Sequence, residues 1–136
     1  MAASTTPPNP KLRCARGSIT VAEANAAQGK VIVTGRPDRT LTVVDAWVRH
    51  HGAAGGNTSM DIVDTTTGHT GTHVVVFTRA GTVGNDHVCT AAGATNTTAT
   101  NLGTPLTKGK GLKLISVGTL TTTTTIDYAV YYYVTQ

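Results

Sequence analysis

The C-terminal run 121–136, TTTTTIDYAVYYYVTQ, constrains the fold more than any other stretch. Ile126, Tyr128, Val130, Tyr132 and Val134 recur at every second position, with Asp127, Ala129, Tyr131, Tyr133 and Thr135 between them. Alternation with period two assigns the two sets to opposite faces of a β-sheet. β-branched and aromatic residues dominate the run, and they fit a pleated, half-buried surface. All four tyrosines of the chain lie here. So rich a strand is predicted to sit between other strands, with the remaining segments built around it.

Those segments read as short strands separated by turns. Strands are expected at 18–21, 30–34, 40–50, 59–64, 72–79, 88–92 and 112–117, with Gly35, Pro37, Gly118 and similar residues turning the chain. Residues 23–27 (EANAA) favour helix but suffice for one turn only. In 40–50, Val44, Ala46 and Val48 are assigned to one face and Leu41, Val43, Asp45 and Trp47 to the other. Both faces are then apolar, and both are expected to be covered. Trp47 reads first as a core anchor, with an interface anchor as the alternative. Met60 and Ile62 share a face. The glycine-broken region 80–111 is expected to be a long exposed excursion. Seven or eight short strands and no convincing helix predict an all-β chain, an antiparallel β-sandwich or a barrel.

Length and composition agree with one domain. The chain has 136 residues, 28 of them Thr, with 39% apolar and only 13% charged residues. Low charge with that apolar content argues against disorder. A surface of Thr, Ala, Gly and Asn suits a protein packed into an assembly. The net charge is +4, carried by Lys and Arg scattered without a dense run. Nucleic-acid binding calls for a basic stripe with stacking aromatics, so no nucleic-acid partner is expected. Residues 1–10 (MAASTTPPNP) lack a secretory signal's apolar segment, and no stretch reaches transmembrane length. Synthesis in a cytoplasm and no membrane partner are the expectations. Cys14 and Cys89 allow one bridge, which sequence alone does not establish; two free thiols are expected.

Residues 1–16 stand apart as an extended N-terminal arm preceding a sandwich domain at 17–136. Pro7, Pro8 and Pro10 fix φ and remove donors, favouring a polyproline-like path, and Lys11, Arg13 and Arg16 follow. Such a segment is either a loose terminus or an arm that orders on a neighbouring subunit.

No constellation points to catalysis. His69 and His73, four apart in TGHTGTH, would lie roughly 13 Å apart on a strand; HExxH and finger-type Cys spacing are absent. Asp61 and Asp64 could hold calcium with a loop carbonyl, but hydrogen bonds to turn backbone are the ordinary role of such residues. Ser18, Ser59 and Ser116 lie outside a GxSxG elbow. The glycine-rich loop after His50 lacks phosphate-loop spacing. The expectation is a non-enzyme without cofactor or metal.

Three stretches carry a family resemblance: SITVAEANAAQGKVIVTG at 18–35, VVDAWVRHHGAAGG at 43–56, and LTKGKGLKLISVGTLTTTTTIDYAVYYYVTQ at 106–136. In layout they resemble the small β-sandwich decoration (cement) proteins of tailed-bacteriophage heads. The resemblance implies a jelly-roll-like sandwich, a homotrimer on the outer capsid surface, that stabilises the shell by bridging major capsid proteins. It implies no catalytic residues. On that reading the arm residues Pro7, Pro8, Pro10, Lys11, Arg13 and Arg16 bind the capsid, and Trp47, Tyr131 and Tyr133 are candidates for a subunit interface. The rival readings are a receptor- or glycan-binding module of a phage fibre, using loops 52–57 and 81–101, and a tail or neck structural subunit.

Overall fold

The computed structural model describes residues 11–52, 57–68, 70–78, 87–90, 97–99, 101–121, 123 and 125–135. The elements in chain order are β1 (Arg13–Thr20), α1 (Val21–Asn25), β2 (Lys30–Val33), β3 (Thr40–His51), β4 (Asn57–Asp64), β5 (His73–Thr78), β6 (His87–Thr90), β7 (Thr97–Ala99), β8 (Leu112–Gly118) and β9 (Thr125–Thr135). They form two sheets, ordered β1-β9-β3-β6 and β2-β8-β4-β5-β7. Every pairing is antiparallel. Except at the β4–β5 and β7–β8 steps the chain crosses from one sheet to the other, and the last strand returns beside the first. With β7 added at one edge, this is the connectivity of a jelly roll.

The terminal strand occupies the predicted position. β9 is hydrogen-bonded to β1 on one side and to β3 on the other along most of its length. The set beginning at Ile126 faces the core: Ile126 and Val130 are fully buried, and Tyr128, Tyr132 and Val134 pack against the same cluster. From the second sheet Met60, Ile62, Val75, Phe77, Leu112 and Leu114 close the core. Each such side chain removed from water contributes about 1.5–3 kcal/mol.

β3 departs from the predicted alternation. Pairing with β9 slips between Val43 and Asp45, a β-bulge that leaves Val44 over. The extra residue shifts the phase. Leu41 and Val43 face the core before the bulge, and Ala46, Val48 and His50 face it afterwards, all buried. Val44 is exposed. The expected grouping of Val44 with Ala46 and Val48 is thus corrected, because one inserted residue inverts every later side chain. Trp47 consequently lies on the outer face of the sheet and is not a core anchor.

The N-terminal boundary also moves. Arg13 to Arg16 belong to β1 and pair with Tyr132 to Ala129 of β9. The sandwich therefore starts at Arg13, not at residue 17. Pro7, Pro8 and Pro10 lie outside the described residues. After β1 comes the predicted single helical turn. Thr20 caps it: Glu23 N–H donates to the Thr20 hydroxyl at 3.1 Å, and Thr20 N–H donates to the Glu23 carboxylate at 3.1 Å. Asn25, at its end, bonds both backbone groups of Leu120, donating to the carbonyl at 3.0 Å and accepting from N–H at 2.9 Å. That latch holds the β8–β9 connection, where Leu120 and Thr123 are buried.

Within the region expected to be an exposed excursion, the described residues contribute strands to both sheets. β6 and β7 are edge strands in it. Residues 103–109 then run back along the start of β3: Gly103 N–H donates to Val43 O and Leu106 N–H to Leu41 O, both at 2.8 Å, and Gly109 N–H to Arg39 O at 2.9 Å. Leu106 is buried in the core. The edge of β3 that β6 leaves uncovered is thereby satisfied. Three of the four outermost strands, β2, β6 and β7, have only three or four residues; short edges resist unwanted pairing. β1, with eight residues, is the long edge.

Candidate functional site

The outer face of the β1-β9-β3-β6 sheet follows from register. Cross-strand neighbours share a face, so successive rows read Cys14–Tyr131–Asp45, Arg16–Ala129–Trp47–Thr90, and Ser18–Asp127–Arg49. Tyr133 stands opposite Thr42 beyond the first row. All three residues expected at a subunit interface, Trp47, Tyr131 and Tyr133, thus fall on one face. Tyr131 lies diagonal to Trp47. Each is half-buried. Arg16 is exposed on this face, in the row of Trp47, while Arg13 is on the core-side face of the same strand; the two arm cations are separated by the sheet.

The third row carries a polar cluster. Asp127 accepts from the Ser18 hydroxyl on β1, and its other oxygen takes a hydrogen bond from His51 Nε2 on β3 at 2.6 Å. The carboxylate therefore staples the central strand to both neighbours. Ser, Asp and His are the residue types of a nucleophilic triad, but the order is different. The serine donates to the aspartate, so no base stands on its oxygen. A second cluster repeats this order in the other sheet. Ser59 donates to Asp61 at 2.6 Å, and His73 Nδ1 lies 3.0 Å from the second Asp61 oxygen. Asp61 is buried, which makes its partners structurally important.

Hydrogen bonding to His51 first, and to Ser18 second, holds the Asp127 carboxyl below its ordinary range. A lowered folded-state value stabilises the fold above the unfolded pKa, about 4 for Asp, and the contribution is lost as pH falls through the folded value. Asp127→Asn is therefore expected to flatten the loss of stability below pH ~4, read from urea midpoints at pH 3, 4 and 7. An acid limb as steep as that of the unaltered protein would show that the staple does not govern it.

Asp64 has the ordinary role of a turn carboxylate. Its oxygens accept from Thr66 N–H at 2.9 Å and Thr72 N–H at 3.1 Å, closing the β4–β5 loop. Those bonds outweigh a desolvation cost and leave its carboxyl below the usual range. Lys113, buried beside this loop, donates to Thr66 O at 2.6 Å. His73 faces Asp61, whereas His69 lies outside the described residues. Cys14 is a free, exposed thiol. Cys14 is on β1 and Cys89 on β6, opposite edges of a four-stranded sheet, roughly 14 Å apart at strand spacing, beyond reach of a disulfide.

A further feature lies where β2 turns into β3. Arg13, Arg36 and Arg39 surround a cleft of about 70 Å³, with Tyr132 in its wall and Leu41 and Val134 among its apolar lining. Sequence reading placed Arg13 in an arm and gave Arg36 and Arg39 no role. The cluster becomes visible only when the β1–β9 register puts Arg13 opposite Tyr132.

No protein-family model and no curated protein matches the sequence. Among solved structures, the fold aligns with one described as the cyanophage Pam1 capsid asymmetric unit, at 14% identity and a TM-score of 0.40, over 98% of this chain and 91% of that chain.

Proposed function

We propose that this protein is a non-catalytic virion structural protein that decorates the outer surface of a tailed-phage capsid as a homotrimer, stabilising the shell by bridging neighbouring major capsid proteins. The observation that carries the reading is the placement of half-buried Trp47, Tyr131 and Tyr133 on one sheet face, with Arg16 and Arg49 on the same face. Trp, Tyr and Arg are the residues enriched at protein interfaces and their energetic centres. Low charge and the sequence resemblance described above support the same reading. The physical logic is mass action: a protein that binds the assembled shell, and not its separated parts, stabilises the shell. Equivalent contacts from one trimer add as avidity.

The test is location and copy number. Virions carrying the protein are quantified by mass spectrometry and probed with a labelled antibody. On the order of hundreds of copies spread over the head, with saturable rebinding to stripped heads, is the expected outcome. A few copies at the tail or at one vertex, or binding on a glycan array, would replace decoration by the fibre reading. Cys14, in the row of Tyr131, supplies an internal probe. Its alkylation should be fast in monomer and slow in the assembled form.

A further inference from the structure

The arginine cleft at the β2–β3 end is built from fixed backbone. Arg13 opens β1, and Arg36 and Arg39 flank a turn closed by Arg39 N–H donating to Arg36 O at 3.1 Å. Gly109 N–H donating to Arg39 O ties that turn to the neighbouring segment. Among the described residues, one carboxylate is ion-paired with these three guanidinium groups. Asp38 stands 3.7 Å from Arg39 Nε and its side chain is largely exposed. Arg13 and Arg36 form no ion pair with any described residue. Such a concentration of positive charge is a standing cost unless an anion joins it. The guanidinium fork matches the two oxygens of a carboxylate.

We propose that this cleft receives acidic side chains of a polypeptide partner. On the decoration reading, from which this follows, that partner is an Asp- or Glu-bearing segment of the major capsid protein. The size of the cleft and its apolar lining suit one or two side chains. Lys108 and Lys110 stand on either side of Gly109, which is bonded to this turn, so a nucleic-acid backbone, which needs a track of cations, is the competing occupant that the test separates.

The test titrates the full-length protein with dye-labelled hexaglutamate at low salt. Arg36→Gln and Arg39→Gln should each weaken binding about tenfold, the value of one charge-assisted hydrogen bond. Lys30→Gln removes the same charge away from the cleft, where Lys30 pairs with Glu23 at the surface, and should change binding less than about twofold. Melting curves of the three variants should match the unaltered protein. Undiminished hexaglutamate binding in both arginine variants would overturn the proposal. So would an equal loss in Lys30→Gln, or a hexanucleotide that binds more tightly through the same arginines. Rebinding to stripped heads is scored separately. Peptide binding that depends on the arginines, in a protein that never rebinds heads, upholds the cleft and removes the decoration reading.

Discussion

Gly111→Ala is expected to destabilise the domain by about 3 kcal/mol or more, at or beyond the upper end of ordinary overpacking. A Cβ at Gly111 would lie 2.2 Å from the carbonyl oxygen of Val33 and 2.4 Å from the nitrogen of Gly35. A Cβ at Gly35 would lie 2.2 Å from the Gly109 oxygen and 2.5 Å from the Gly111 nitrogen. The two backbones touch reciprocally, so neither can yield by rotating a side chain. The end of β2 and the approach to β8 must separate, and with them the pairing of β2 with β8. Gly68→Ala is the control. Gly68 has φ of +62° and open space around its Cβ position, so only the left-handed conformation is penalised, by about 1–2 kcal/mol. Urea midpoints of the two variants decide the matter. If Gly111→Ala costs no more than Gly68→Ala, the close approach is not a constraint on the fold. Because the same crossing adjoins Arg36 and Arg39, a Gly111 variant that folds should also lose hexaglutamate affinity.

The sheet class was legible wherever one face of a strand carries the apolar residues. The β9 alternation identified both faces correctly, and its richness in Tyr, Val and Ile pointed to a central position. The same logic failed in β3 because TLTVVDAWVRHH contains two consecutive valines at the bulge, and period two does not reveal which residue is extra. β1 was legible only in its last three residues. RCARGSIT holds no apolar β-branched residue before Ile19, so its first half is a strand because β9 offers a partner, not because its residues prefer one. The Thr20–Glu23 capping box was available in the sequence as T-x-x-E.

β6 overlaps the strand expected at 88–92; its partner and the whole of β7 stayed hidden, because both are short edges in or beside an Ala/Thr/Asn-rich run. Their pairing with β3 and β5 is non-local and leaves little local pattern. The candidate sites were hidden for a related reason. Ser18 and His51 meet at Asp127 across separations of 109 and 76 residues, and Arg13 joins Arg36 and Arg39 only through the jelly-roll crossing. Residue types suggested Trp47, Tyr131 and Tyr133 as interface residues, and register placed them together. No single stretch of sequence could do so, because β3 and β9 are neighbours in space and lie at distant places in the chain.

Trp47→Ala should weaken assembly by about 2–4 kcal/mol, roughly 30- to 1000-fold in affinity, while leaving the isolated domain folded. The argument is positional. Trp47 sits beside Ala129 in the central part of the outer face, with β9 on one side and β6 on the other. Tyr131 is its diagonal neighbour, and Tyr133 is farther along the strand. Ala129, its neighbour in the row, is fully buried, and the centre of an interface is where truncation costs most. Tyr131→Ala and Tyr133→Ala should therefore have smaller effects, in that order. Stability should fall less than in Phe77→Ala, because Trp47 is half-buried and absent from the core cluster closed by Met60, Ile62 and Phe77. Light scattering across a concentration series gives the assembly constant, rebinding to stripped heads gives occupancy, and a thermal melt gives stability. Unaltered assembly and occupancy in Trp47→Ala would remove this face from the interface. A melting temperature lowered as far as by Phe77→Ala, with assembly of the folded fraction intact, would assign Trp47 to the fold and leave the decoration reading without its main structural support.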